Sequence, residues 1–323
     1  MNEIPLVCVI CLNHNGLSIE YNSQPIIKLC LDAVEKTNYA NVKFIVADAA
    51  SSDGSKEYII ENYKNIELVD VQNFGWGPNN NEAIKYVVNK YGLVRFIVLI
   101  SNDVIIKDEF WLEKMVKIGI SDSSIGIITG KLTWPNGDTQ FKGIKMGLRG
   151  ILIPRLKTKT GILNKNSFIN GAFFLISINL LRTIGLIDES YIMMNGEDID
   201  FSIRAYQANF KTFYIDDISA IHLEDSTVNK IRNGTLKGYE VVGKGSLDFN
   251  MRVNECVLLL RYYKILLFPW FINAFITSFV GKERRSGNLI LKRHVARNFG
   301  YQISILKESS RRYKKNKIEY LSR

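Results

Sequence analysis

The acids Glu197, Asp198 and Asp200 crowd the start of a predicted helix over residues 197–207. Adjacent carboxylates in that position can take a proton from a hydroxyl as a general base. They also have a plain electrostatic use, settling the positive end of the helix dipole. Asp200 and Arg204, four residues apart, read as an ion pair supporting the same helix. Two further acids close apolar runs: Asp48 ends the stretch 43–48, and Asp103 follows the stretch 94–100. A carboxylate at a strand end can accept N–H donors or hold a hard divalent cation, which prefers oxygen ligands. Asn73-Phe-Gly-Trp-Gly-Pro-Asn-Asn-Asn81 is a turn rich in Gly and Asn that enters a helix. Such a turn lets backbone come close to a ligand, and a helix N-terminus favours phosphate oxygens.

These residues need elements to bring them together. Residues 6–12 are a continuous apolar run, suited to a strand covered on both faces. Ser23 as N-cap and Pro25 in the first turn predict a helix to Lys36. The strand at 43–48 leads through the turn Ser51-Ser-Asp-Gly54 into a helix ending near Tyr63. A short strand at 66–71, a helix at 79–91 and a strand at 94–100 follow. Strands alternating with helices predict a mostly parallel, right-handedly wound sheet with helices on its faces. Ligands bind such sheets beyond the carboxyl ends of the strands. That rule gathers Asn13, Asp48 and Asp103 on one rim. Residues 131–166 read as an irregular excursion. Regular structure resumes at 168–177, with helices at 179–184 and 197–207 and strands at 211–215 and 219–222, the last ending on His222.

Composition narrows the function classes. With 46% hydrophobic and 23% charged residues, the 323-residue chain has the makeup of a protein with a sizeable core. No GxGxxG or P-loop follows the first strand, which counts against dinucleotide and ATP enzymes of the common kinds. Cys8 and Cys11, three apart on a strand, point to opposite faces and cannot act as a pair. They read as buried structural thiols in a reducing compartment. Asn233-Gly-Thr235 spells a glycosylation acceptor, but the start of the chain does not have the pattern of an export signal. Two other function classes stay open at this level. A nucleotidyltransferase shares the parallel sheet but would show a basic phosphate loop where Leu12-Asn-His-Asn-Gly16 stands. A basic, non-catalytic nucleic-acid-binding protein would show a recognition motif beside its charge, and none is found.

The segments VCVICLNHNG, FIVADAASSDGS, NFGWGPNNNEAI, FIVLISNDVII, NGAFFLIS and GLIDESYIMMNGEDIDFSIR, closing with IHLEDS, occur in an order that resembles family 2 of the inverting glycosyltransferases. Within it, they are similar to the rhamnosyltransferase- and galactofuranosyltransferase-like branch. The resemblance covers residues 5–226. It implies a GT-A fold, Rossmann-like, and transfer of a sugar from a UDP-, dTDP- or GDP-sugar to a hydroxyl of a glycan or lipid-linked acceptor. It implies donor binding by Asn13, Asp48, Asp53, Asn73, Gly75, Asn80, Asn81 and Asn102. It implies a divalent metal, Mn2+ or Mg2+, at Asp103 and His222, and Asp198 as the base with Glu197 beside it. Ala49 stands where the family has Asn, and Ser101 where the fullest metal motif has an acid.

The expected organisation is a catalytic domain over 1–226, with a nucleotide-binding half to 103 and an acceptor half from 104, followed by a helical extension over 227–323. Residues 251–323 carry a charge balance of +12, and the rest of the chain −2. Beside that charge, Val257–Val280 is rich in Leu, Phe, Ile and Trp but interrupted by Arg261, Lys264 and Pro269. The expectation is a helix pair lying in an anionic membrane face, Trp270 at headgroup depth, with the protein cytoplasmic and peripheral on the inner face of the cell membrane. The alternatives are a hydrophobic helix packed on the domain and a contact between copies in a homodimer.

Overall fold

The computed structural model describes residues 3–147, 152–165, 167–192, 196–223, 247–272, 280–282, 289–291, 295–315 and 318–321. The first half runs β1 (Leu6–Asn13), β2 (Glu20–Tyr21), β3 (Gln24–Pro25), α1 (Ile26–Glu35), β4 (Val42–Ala49), α2 (Ser55–Asn62), β5 (Ile66–Val71), α3 (Trp76–Tyr91) and β6 (Val94–Ser101). There follow β7 (Val104–Ile106), α4 (Trp111–Ser121), β8 (Ile125–Thr133), β9 (Thr139–Phe141), β10 (Ile144–Met146), β11 (Leu152–Pro154) and β12 (Gly161–Ile162). The catalytic half closes with β13 (Phe173–Ser177), α5 (Ile178–Ile184), α6 (Glu197–Gln207) and β14 (Lys211–His222). Two long helices of the extension are α7 (Leu247–Tyr262) and α8 (Val295–Tyr313).

The main sheet has the order β12-β14-β8-β13-β6-β1-β4-β5, with β7 beside β14 and β9 beside β8. β5, β4, β1 and β6 are parallel, β13 runs antiparallel between β6 and β8, and β14 is parallel to β8. The α/β expectation therefore holds, with β13 inserted antiparallel and the short strands β12, β7 and β9 pairing antiparallel at the sheet's margins. The sheet separates two apolar layers. Cys11, Trp111 and Phe173 lie in one, and Cys8, Leu99 and Phe174 in the other. The opposite orientation of Cys8 and Cys11 follows, and all four cysteines are free and buried.

Local differences from the sequence reading have physical causes. Ser23 does not cap α1: it sits at φ +60° in the turn between β2 and β3, and α1 begins at Ile26 after Pro25 without a side-chain cap. α3 starts at Trp76, ahead of the expected residue 79. The amphipathic helix α4 and the buried strand β8 complete the run between Asp103 and the excursion. Residues 131–166 hold the end of β8 and four short strands. The two strands expected over 211–222 are one, β14, whose register shifts between Ile215 and Ser219 so that Asp216 and Asp217 leave the ladder without ending it.

The extension is packed on the catalytic half. Val253, Val257, Leu258 and Trp270 share a buried cluster with Phe168, Tyr191, Ile199 and, from α8, Ile305. Trp270 is 2% exposed, so it does not lie at headgroup depth: its indole fills the seam under α7. Ile318–Leu321 returns to the catalytic half, where the Leu186 N–H donates to the Glu319 carbonyl at 2.7 Å and Lys85 pairs with the Glu319 carboxylate at 2.9 Å. The closing part of the IHLEDS segment, the boundary at 226/227 and Asn233 lie outside the described residues.

Candidate active site

The rim forms where β1, β4 and β6 end together. Asn13 pairs with Asp48 in the register of β1 and β4, and its side-chain amide donates to Asp48 Oδ2 at 2.8 Å. Asn102, one residue beyond β6, donates to Asn13 Oδ1 at 2.7 Å. Asp48 also accepts the Ser51 N–H at 2.8 Å and the Ser51 hydroxyl at 2.7 Å. Three of the expected donor-side residues are thus one hydrogen-bonded row. Gly16 lines it so closely that a Cβ there would stand 2.4 Å from Asn13 Oδ1 and 2.8 Å from Asn102 Nδ2. Asp53 is engaged elsewhere. Its Oδ1 accepts from the Ser55 N–H and hydroxyl and its Oδ2 from the Ser18 N–H. Burial alone would raise its pKa, and those donors bring it below the ordinary value.

The Asn-rich turn divides its work. Gly75 has φ +112° and precedes α3, a backbone setting open to glycine. Asn73 Nδ2 reaches the His14 ring at 3.5 Å, and the ring's Nδ1 donates to the Ala49 carbonyl at 2.7 Å. Asn79 accepts the Phe74 N–H, closing the turn. Asn80 donates to the Trp76 carbonyl, but its Oδ1 is buried with no hydrogen-bond partner in the structure. Asn81 turns toward the residues after α5, donating to the Ile187 carbonyl at 2.8 Å and accepting the Ile187 N–H at 3.0 Å. Asn13, Asp48 and Asn102 therefore meet on the rim, Asn73 joins it through His14, and Asp53 and Asn81 face neighbouring protein groups.

Asp103 and His222 meet across β7 and β14, with His222 Nε2 3.5 Å from Asp103 Oδ1. Gln140, on β9, donates from Nε2 to the His222 carbonyl at 3.4 Å, which leaves its Oε1 to accept from His222 Nδ1 at 2.9 Å. That orients the ring with its Nε2 lone pair toward Asp103. Two ligands of one cation, each at about 2.1 Å, stand roughly 3.0–3.4 Å apart, so the pair fits a shared divalent ion. Among the described residues no cluster of three or more His, Cys, Asp or Glu could hold a metal. Gln140 escaped the sequence reading because a three-residue strand leaves no periodic signal.

Asp198 lies in the first turn of α6. Its Oδ2 accepts the Gly171 N–H at 2.9 Å and its Oδ1 the Ile199 N–H at 2.8 Å. Burial pushes the carboxyl up from 3.8 to about 6, against the pull of those backbone donors. The next residue along, Ala172, accepts the Ser101 N–H at 2.9 Å. One hydrogen-bonded step thus links Ser101, the last residue of β6 and two before Asp103, to the residue after Gly171, whose N–H meets Asp198. Trp76, at the start of α3, lies against Gly171, where an added Cβ would stand 3.0 Å from its ring. Glu197, beside Asp198, is buried.

With fold and rim in view, the chain's family is plain. Residues 19–185, just over half of the chain, match glycosyl transferase family 2, and the protein belongs to that family. That membership displaces the nucleotidyltransferase and nucleic-acid-binding readings. A Sinorhizobium fredii protein, uncharacterized protein y4gI, is 23% identical over 250 residues, covering 70% of this chain. The chain spans about a quarter (25%) of the length of that curated relative. The fold is shared with GalNAc-T7, solved with UDP, GalNAc and Mn2+, at a TM-score of 0.58 and 15% identity over 86% of this chain and 51% of that one. It is shared with S. aureus TarS 1–349 in complex with UDP, at 0.51 and 15% over 89% and 96%. The Pyrobaculum calidifontis mannosyltransferase PcManGT with GDP-Man and Mn2+ aligns at 0.50 and 14% over 97% and 73%. The architecture is of the GT-A type.

Proposed function

We propose that the protein is an inverting glycosyltransferase that moves a sugar from a nucleoside diphosphate donor to a hydroxyl acceptor, with Asp198 as base. The observation that carries this reading is the single hydrogen-bonded step between Ser101, two residues from Asp103, and Ala172, beside the peptide that anchors Asp198. It sets a proton acceptor next to a cation-compatible pair. The donor half, residues 1–103, supplies Asn13, Asp48, Asn73, Gly75, Asn80 and Asn102 to the nucleotide and sugar, with Asp53 holding the loop after β1. Asn81 ties that half to the acceptor half, residues 104–226. Asp103 and His222 would hold Mn2+ or Mg2+ together with diphosphate oxygens, and the ion would neutralise charge developing on the leaving group.

The chemistry required of the chain is then simple. Asp198 takes the acceptor hydroxyl proton as that oxygen bonds to the anomeric carbon. The bond from that carbon to the diphosphate oxygen breaks on the opposite face, inverting the configuration. Glu197 binds an acceptor hydroxyl beside the base. The segments quoted above favour a donor of the rhamnosyl or galactofuranosyl class and a glycan or lipid-linked acceptor.

The extension is assigned a membrane contact, made by residues other than Trp270. Ile265, Phe268 and Ile272 recur at helical spacing and are 86%, 72% and 41% exposed. With the +12 balance of residues 251–323, they suit a peripheral contact with an anionic lipid surface. Among the described residues no helix is long and apolar enough to cross a membrane.

The test is release of nucleoside diphosphate from a panel of UDP-, dTDP- and GDP-sugars with Mn2+ or Mg2+, followed by Asp198→Asn. Loss of a general base lowers the rate by about 10²–10⁴. A variant that works within about threefold of the parent removes Asp198 from the role, and full activity in excess chelator removes the metal.

A further inference from the structure

Asp198 does not stand alone: residues 188–192, ahead of it, are gripped from α7, in the extension. The Arg261 side chain is mostly covered there, 10% exposed. Its Nη1 lies 2.6 Å from Asp188 Oδ2 and 3.2 Å from Asp200 Oδ1, and its Nη2 donates to Ser190 Oγ at 3.0 Å. Its guanidinium also covers the Tyr191 ring at 5.1 Å. Tyr262 donates to Asp200 Oδ1 at 2.8 Å. Two turns earlier on α7, Asn254 donates to the Ile192 carbonyl at 2.9 Å and accepts the Ile192 N–H at 3.3 Å. An amide side chain that meets both backbone groups of one residue fixes that residue as a neighbouring strand would. On the far side, Gly196 has φ +113°, and an added Cβ there would stand 3.1 Å from Tyr191 and 3.7 Å from Asn254. Ile192 is thus held by α7, Gly196 lies close to Tyr191 and Asn254, and Asp198 follows Gly196 by two residues.

We propose that Arg261 and Asn254 are positioning residues for the Glu197-Asp198 pair, so that the extension completes the catalytic centre besides meeting the membrane. The inference rests on the reading of Asp198 as base. The guanidinium satisfies two buried carboxylates that flank the segment, Asp188 before it and Asp200 after it. The described residues on either side, Asp188 and Asp200, are therefore held by a side chain that reaches no reacting atom. A small displacement of a catalytic group is costly, since about 1 Å of misplacement can lower a rate about 10²-fold.

The experiment uses the full-length protein, Mn2+ and the nucleotide sugar of the panel that is turned over fastest, with water as acceptor. Arg261→Met and Asn254→Ala are each made alone and in the Asp198→Asn background. Positioning predicts that each lowers kcat about 10- to 100-fold, with donor KM and the Kd of the matching nucleoside diphosphate within about twofold of the parent. It also predicts non-additivity: in the Asp198→Asn background the same substitutions change the residual rate by less than about twofold. A kcat within about threefold of the parent overturns the inference. So does a loss that recurs in full without Asp198, or one matched by weaker nucleotide binding, as general structural damage would give. Where Arg261→Met does not fold, Asn254→Ala decides on the same criteria, because Arg312, which also donates to Asn254, keeps Glu308 and Asn250 as acceptors. Asp198→Asn active within threefold sinks the base assignment and this inference with it. An inactive Asp198→Asn beside active Arg261→Met and Asn254→Ala sinks only this inference.

Discussion

A general base that burial holds near pKa 6 leaves a mark on the pH dependence of the reaction. The perturbation is pH itself. As the proposed base, Asp198 would act only when ionised, and with its carboxyl at about 6 it is about nine-tenths ionised at pH 7 and about one-tenth at pH 5. The value of kcat/KM should therefore fall about tenfold between these points, with unit slope below. At the ordinary value of 3.8 the same carboxyl would remain more than about nine-tenths ionised at pH 5, and the profile would be nearly flat. The sign follows from the site: burial disfavours the charged form, so protonation, and loss of rate, arrives at a higher pH than for an exposed aspartate. The assay is nucleoside diphosphate release from pH 5 to 8, repeated with Mn2+ raised tenfold. Proton competition at the Asp103–His222 pair would be relieved by the added metal, whereas the limb assigned to Asp198 stays in place. A profile flat to pH 5, or a limb that moves entirely with Mn2+, would refute the reasoning.

Gly16→Ala drives a methyl group into the Asn13–Asn102 contact, and overpacking of this kind costs about 1–3 kcal/mol. Calorimetry should show nucleotide affinity falling more than melting temperature; unchanged affinity would detach this row from the donor. Asp103→Ala should resist rescue of a chelated enzyme by Mn2+, whereas Asn136→Ala, on an exposed turn, should recover fully. Trp270→Ala should destabilise the protein by about 3–5 kcal/mol in denaturant without changing sedimentation with anionic vesicles. The pair Ile265→Asp and Phe268→Asp should do the reverse, and vesicle binding that survives both would end the membrane assignment.

The rim was legible because its residues sit at the ends of long, uninterrupted apolar runs. A strand buried on both faces has to be apolar throughout, so the first polar residue after it, Asn13 or Asp48, marks the sheet's edge. Ser23 misled because a hydroxyl suited to capping also suits a tight turn, and its positive φ selects the turn. The acids Asp216 and Asp217 looked like the end of a strand, yet a register shift lets β14 run through them. Trp270 could not be placed from its neighbours in sequence. An apolar helix has the same composition whether lipid or protein covers it, and here the cover comes from Phe168, Tyr191 and Ile199, far away in the chain. Gln140 and Arg261 were invisible for a related reason: each acts on a residue more than seventy positions from it, His222 or Asp188.

The return of Ile318–Leu321 onto Leu186 and Lys85 bears on how the protein is made. A ribosome delivers β1 to β14 first, and the strands can pair as they emerge. The segment ahead of Asp198 lacks the contacts of Asn254 and Arg261 until α7 follows. The backbone of Leu186, at the head of that segment, lacks the Glu319 carbonyl until nearly all of these 323 residues are out. The sheet can thus assemble in the order of synthesis, whereas the contacts proposed to set Asp198 arrive late. A nascent chain would pass through a stage with a finished sheet and a formed rim but without the hold of α7 on the residues ahead of Asp198.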